Sequence, residues 1–238
     1  MTDPTHRLLI AASSYQRTRA AIDPAIQIVQ LDREGDFSLD GTRLSAESVQ
    51  PTLIRLDWDM MQSGHMKSVV EIIRGARGLA FVQTSAAGLD NPLFRIVEEK
   101  ARYFCNSDAQ APPIAEFVLA SVLNRWHRFD IRAAHQAARR WQRTSFKEML
   151  ESNWLIVGFG NIGQRIARQA KGFGANVTAL RRNTGDCGPA DRVDVLSNIG
   201  AYLNSADVVV LACALNDETR GLASDAFFGE LNRDAVLV

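Results

Sequence analysis

Short apolar runs alternate with stretches of helical period along this chain. The segments RLLIAAS (7–13), IQIVQLD (26–32), TLIRLDW (52–58), GLAFVQTS (78–85) and RYFCNS (102–107) read as strands. Between them, HMKSVVEIIRGA (65–76) puts Met66, Val69, Val70 and Ile73 on one helical face, and 92–101 also has helical period. Strands alternating with helices predict an α/β architecture with a parallel sheet covered on both faces. The pattern breaks at DAQAPP, 108–113, where two prolines interrupt all periodicity. A domain boundary is expected there, dividing 1–107 from 108–238. Beyond it Ile114, Phe117, Val118, Val122 and Trp126 recur at helical spacing. They predict a long helical stretch to about 140 whose apolar face is buried between domains or against a second subunit. From 153 a second alternating series begins: strand NWLIVG, turn and helix FGNIGQRIARQAKGFG, strand ANVTALRR, the ambiguous VDVLSNI, and strand SADVVVLACAL. DAVLV (234–238) starts another strand.

Composition narrows the function classes. The chain has 238 residues, enough for two α/β domains, and 46% are apolar. Lys+Arg and Asp+Glu each total 27, so the net charge is zero. That balance removes the simplest argument for nucleic acid as a partner. The basic run Arg139, Arg140, Arg143 reads as a solvated helix face. No window has the roughly 18 unbroken apolar residues of a membrane span, and the N-terminus lacks a signal-peptide layout. The three cysteines (Cys105, Cys187, Cys213) show neither pairing nor metal spacing. A reducing compartment, the cytoplasm, is expected, and no metal site.

The most specific feature is Gly158-Phe159-Gly160-Asn161-Ile162-Gly163. It follows the apolar strand Trp154–Val157 and opens a helix whose core face carries Ile162, Ile166, Ala167 and Ala170. That is the context a dinucleotide-binding fingerprint requires. Gly158 permits a tight turn, Gly160 lets backbone approach a pyrophosphate, and Gly163 lets helix and strand pack closely. The helix start offers unpaired N–H groups to the anion. The next strand usually ends in an acidic residue that grips the ribose of NAD; here VTALRR ends in Arg181 and Arg182. A guanidinium fork binds a 2′-phosphate, which predicts NADP(H) over NAD(H).

In several segments, in order from about residue 79, the chain resembles the D-isomer-specific 2-hydroxyacid dehydrogenases. QTSAAGLD is similar to the family's substrate loop, IAEFVLASVLNR to its interdomain helix, and GFGNIGQRIARQAKGFGANV to its cofactor signature. SADVVVLACALNDETRGL and DAVLV resemble its next landmarks, and the two-arginine ending resembles that of the NADPH-using glyoxylate and hydroxypyruvate reductases. The resemblance implies two doubly wound parallel-sheet domains, a flavodoxin-like substrate domain and an incomplete Rossmann domain. It implies that main-chain N–H groups at Ala87 and Gly88 hold the carboxylate of a small 2-oxoacid. It also places Cys213, Ala214 and Thr219 near the cofactor, with Ala214 standing where the family usually has proline.

The same resemblance implies a homodimer with helices near 114–140 at the interface, and a cofactor seated in an interdomain cleft. The family's catalytic arginine, glutamate and histidine are expected beyond Val238. His6, His65, His127, His135 and Glu116 fall outside the corresponding segments, so the chain reads as a fragment with little turnover of its own. The alternatives are a phosphoglycerate or other D-2-hydroxyacid dehydrogenase, and a non-catalytic NAD(P)-binding corepressor or sensor.

Overall fold

The computed structural model describes residues 6–88 and 91–238. Two compact units divide between Ala109 and Gln110.

The first unit runs β1 (Arg7–Ala11), α1 (Ala12–Thr18), β2 (Gln27–Leu31), β3 (Phe37–Leu39), β4 (Thr42–Leu44), α2 (Ala46–Val49), β5 (Leu53–Leu56), α3 (Trp58–Gln62), α4 (Met66–Gly75), β6 (Phe81–Thr84), α5 (Pro92–Lys100) and β7 (Tyr103–Asn106). The sheet order is β4-β3-β2-β1-β5-β6-β7. Its five parallel strands, renumbered along the chain, lie 2-1-3-4-5, the flavodoxin-like order. The hairpin β3–β4 adds an antiparallel edge. Asp40 and Gly41 turn it with φ of 49° and 78°, the paired positive values of a type I′ turn.

Strand alternation sorts this sheet into two unlike faces. Leu9, Val29, Ile54, Leu56 and Val82 point one way, into a core closed by Val69 and Ile73 of α4 and Phe94 and Val97 of α5. The opposite register carries Ile10, fully buried, but also Phe81, 39% exposed, and Tyr103, 59% exposed. These two rings are cross-strand partners on β6 and β7.

The second unit runs α6 (Ala111–His127), α7 (Phe129–Ala137), β8 (Asn153–Val157), α8 (Asn161–Gly172), β9 (Asn176–Arg181), β10 (Arg192–Val195), α9 (Gly200–Leu203), β11 (Val208–Leu211), α10 (Asp225–Glu230) and β12 (Val236–Leu237). All its strands are parallel, in the order β10-β9-β8-β11-β12. Along the chain that is 3-2-1-4-5, the order of a Rossmann sheet through its fifth strand. Trp154 and Ile156 face a core shared with α6 and α8, while Leu155 and Val157 face one shared with Leu203 and Phe227. β8 is therefore buried on both faces, which is why its sequence is a continuous apolar run.

Several expectations need correction. The helical stretch after the boundary is two helices, because Arg128 adopts a left-handed conformation (φ 54°, ψ 50°) between them. Pro112 and Pro113 belong to the first turn of α6, where a missing N–H costs no hydrogen bond. The buried face of that helix is Ala115, Val118, Leu119, Val122 and Trp126, with Ile114 half-buried and Phe117 68% exposed. The basic run Arg139, Arg140, Arg143 lies in an exposed irregular arm after α7 rather than on a helix. VDVLSNI resolves into β10 and a 3₁₀ turn over Leu196–Asn198.

Candidate functional site

The sequence-selected residues of the second unit converge at the carboxyl ends of β8, β9 and β11. β8 delivers the chain into Gly158, whose N–H donates to Leu180 O of β9 at 2.9 Å. Gly158 has φ +96°, and a Cβ there would lie 2.4 Å from Cys213 N and 2.6 Å from Ala212 C. Position 158 is glycine for two reasons, the turn and the main chain that crosses against it. At Gly163 a Cβ would lie 2.1 Å from Gly158 O and 3.2 Å from Ile156 Cγ2. Helix α8 and strand β8 touch there with no room for a side chain.

Gly160 is different. Its backbone is extended (φ −81°), and a Cβ would meet nothing within 4 Å. Nothing in the chain's own packing or backbone calls for glycine at this position. Space left open ahead of a helix start suits a ligand that must approach the main chain, so the cradle fits the diphosphate of a dinucleotide. No side chain caps the start of α8, and Asn161 is exposed with Ile162 half-buried behind it.

Around this turn the remaining residues are tied by short polar contacts. Arg181, half-buried at the end of β9, curls back so that its Nε donates to Asn183 O at 2.6 Å. Arg182 is exposed, and its Nε donates to Glu218 Oε2 at 3.1 Å. The segment after β11 is held by Ala212 N donating to Val157 O at 2.7 Å. Its next turn is closed by Asn216, whose Oδ1 accepts from Glu218 N (3.0 Å) and Thr219 N (3.1 Å). Thr219 Oγ1 donates to Ala214 O at 2.7 Å and accepts from Asn216 N at 2.9 Å. Thr219 is thus a brace for this loop. Cys213 is half-buried, and burial raises its thiol pKa, so it stays protonated at neutral pH.

In the first unit, Ala87 and Gly88 follow β6. Ser85 N donates to Leu56 O at 3.0 Å and Ala86 N to Thr84 Oγ1 at 3.1 Å, while Asn106 Nδ2 holds Ala87 O at 3.0 Å. The same unit has a cleft of about 740 Å³ at the ends of β1 and β2, lined in part by Ala11, Ser13, Arg17, Leu31, Asp32 and Asp59. Within it Asp59 accepts from Ser13 and Arg17, and both bonds lower its pKa.

Two further residues stand out in the structure and not in the sequence pattern. Asp57, buried after β5, caps α3 by accepting from Met60 N at 2.9 Å, and its Oδ2 has no hydrogen-bond partner among the described residues but lies 3.9 Å from Arg55 Nε. Glu218 carries no local signal, because its meaning depends on Arg182, 36 positions away. The histidines sit apart from the glycine turn in their contacts. His127 stacks on Phe146 at 4.8 Å, and His65 contacts Arg33 O at 3.0 Å. No group of three potential metal ligands occurs among the described residues, and no described helix is long and apolar enough to cross a membrane.

A 3-2-1-4-5 parallel sheet whose first strand enters a three-glycine turn and a helix defines a Rossmann-type dinucleotide-binding unit. Residues 119–238 match the family model for the D-isomer specific 2-hydroxyacid dehydrogenase NAD binding domain. The chain belongs to that family. A hydroxypyruvate reductase of Thermotoga maritima is 24% identical over 176 residues, covering 72% of this chain and 56% of the relative. A D-3-phosphoglycerate dehydrogenase of Methanocaldococcus jannaschii is 24% identical over 220 residues, covering 91% and 41%. The chain thus spans about half the length of the curated relatives it matches. A D-isomer specific 2-hydroxyacid dehydrogenase family protein of Aeromonas salmonicida shares the fold with a TM-score of 0.74 at 23% identity, over 98% of this chain and 71% of that one. The NADPH-dependent glyoxylate/hydroxypyruvate reductase of Sinorhizobium meliloti, solved with NADP and sulfate, does so at 0.73 and 18%, over 97% and 69%.

Proposed function

We propose that the chain forms most of an NADP(H)-dependent reductase of small 2-oxoacids, with glyoxylate and hydroxypyruvate as the favoured substrates. The observation that carries this reading is the end of β9, where Arg181 and Arg182 stand beside the glycine turn in place of a ribose-binding carboxylate. Two guanidinium groups hold a 2′-phosphate by charge-assisted hydrogen bonds, whereas a carboxylate repels it. The first-turn amides of Asn161, Ile162 and Gly163 hold the diphosphate across Gly160, and the Cys213–Thr219 loop walls the same site. The bound nicotinamide supplies a hydride to C2 of the oxoacid. In the first unit the Ser85 and Ala86 amides are engaged internally, so the substrate carboxylate falls to the main chain of Ala87 and Gly88.

We place the protein in the cytoplasm as a homodimer joined through α6, α7 and the arm after them. Phe117 (68% exposed) and Trp141 (97%) are large apolar groups there that a second subunit would cover. Sedimentation of the intact protein tests this: a monomer at micromolar concentration removes the interface.

The cofactor assignment is tested with Arg181→Asp in the intact protein. NADPH affinity should fall roughly tenfold or more while NADH affinity holds or improves. An unchanged NADPH affinity refutes the assignment. The phosphoglycerate dehydrogenase relative, which aligns with 91% of the chain, favours a second reading with a phosphorylated hydroxyacid as substrate. Turnover of glyoxylate, hydroxypyruvate and 3-phosphohydroxypyruvate by the intact enzyme separates the two.

A further inference from the structure

We infer that Glu218 is a specificity-determining residue that competes with the 2′-phosphate for Arg182 and so sets how strongly this site prefers NADP(H). The inference rests on the assignment of Arg181 and Arg182 to that phosphate. Arg182 Nε lies 3.1 Å from Glu218 Oε2, with both side chains well exposed. The pair joins the end of β9 to the loop after β11, two segments 36 residues apart in sequence.

The carboxylate is presented by a built turn. Asn216 Oδ1 takes the Glu218 and Thr219 N–H groups, and Thr219 Oγ1 reaches Ala214 O. The other end of the loop is pinned where the Cys213 backbone presses on Gly158. Glu218 is therefore carried by the same wall that borders the glycine cradle. Arg181 is committed differently, with its Nε on Asn183 O and its guanidinium folded over Gly185. That leaves Arg182 as the arginine of the two that already holds an anionic partner.

A phosphate bound to Arg182 must either displace the carboxylate or share the guanidinium with it and tolerate its charge a few ångströms away. A dinucleotide with a free 2′-hydroxyl pays neither cost. Glu218 thus narrows the gap between the two cofactors, while Arg181 and Arg182 open it.

Binding of NADPH and of NADH is measured by calorimetry on the intact protein, on Glu218→Gln and on Arg182→Gln. Glutamine keeps the side chain's size and removes its charge. Glu218→Gln should tighten NADPH about three- to tenfold and leave NADH within about twofold, with the gain shrinking at high salt. Arg182→Gln should weaken NADPH alone. If Arg182→Gln weakens NADPH but Glu218→Gln leaves the NADPH/NADH ratio unchanged, the competition is absent and the arginine assignment survives. If Glu218→Gln moves both cofactors equally, the residue acts on the loop and the inference is overturned. If neither Arg182→Gln nor Arg181→Asp alters the ratio, the assignment beneath it falls as well.

Discussion

Glycines 160 and 163 stand three residues apart in one turn, yet they are glycine for different reasons. Gly163→Ala would drive a methyl group into Gly158 O, and the resulting overpacking should cost about 1–3 kcal/mol or more in chemical denaturation. Gly160→Ala adds a methyl group to open space, so stability should hold. Dinucleotide affinity should nevertheless fall, roughly tenfold, because the methyl group occupies the diphosphate's approach. Equal stability losses for the two variants would sink the distinction. The contact at Gly158 is made by main-chain atoms of Ala212 and Cys213, so it constrains residue 158 far more than residue 213. Among the thiols, Cys187 is exposed and Cys213 is half-buried with a raised pKa. Alkylation at neutral pH followed by peptide mapping should therefore label Cys187 well before Cys213.

At the scale of elements, a single carboxylate fastens the far edge of the Rossmann sheet. Asp191, just before β10, accepts from Lys171 Nζ of α8 at 2.7 Å and from Val177 N of β9 at 2.8 Å. The Lys171 bond and then the Val177 bond hold its pKa below the usual carboxylate value. A depressed folded pKa contributes stability that is fully present above the unfolded value, near pH 4, and is lost as pH falls through the folded one. Asp191→Asn should lower stability at pH 7 by about 0.5–1 kcal/mol, with the difference from wild type vanishing in acid. A difference that persists at pH 2 would disprove the linkage. Elements of this unit were legible in sequence wherever one physical cause dominated. The run Trp154–Val157 is apolar on both faces and can only be a central strand. The glycine spacing marks the helix start because close contacts fix two of its positions, 158 and 163, while the third, 160, is left open ahead of the helix. The break at Arg128 was not legible, since the helical period continues through it and only the backbone angles reveal it. The β3–β4 hairpin does carry a local signal, Asp40-Gly41 at its turn, although its short strands lack a marked alternation. Pairings such as Arg182 with Glu218 leave no local mark at all, because they depend on which strands become neighbours.

At the scale of the whole molecule, each unit repeats one plan, and each keeps its candidate residues at strand ends. The strand orders 2-1-3-4-5 and 3-2-1-4-5 both contain a point where the chain reverses direction across the sheet. In the second unit that point lies between β8 and β11, where the glycine turn and the Cys213 loop meet. The first sheet has a further property. Phe81 and Tyr103 lie side by side on its less covered face, next to the border strand β7. Two neighbouring aromatic rings beside an unpaired strand border make a tacky flank. A preparation of these 238 residues alone should show scattered light that rises with concentration and binding of a fluorescent dye that favours greasy surfaces. Changing both rings to threonine should quiet the two signals together while leaving the dinucleotide cradle of the other unit unaltered.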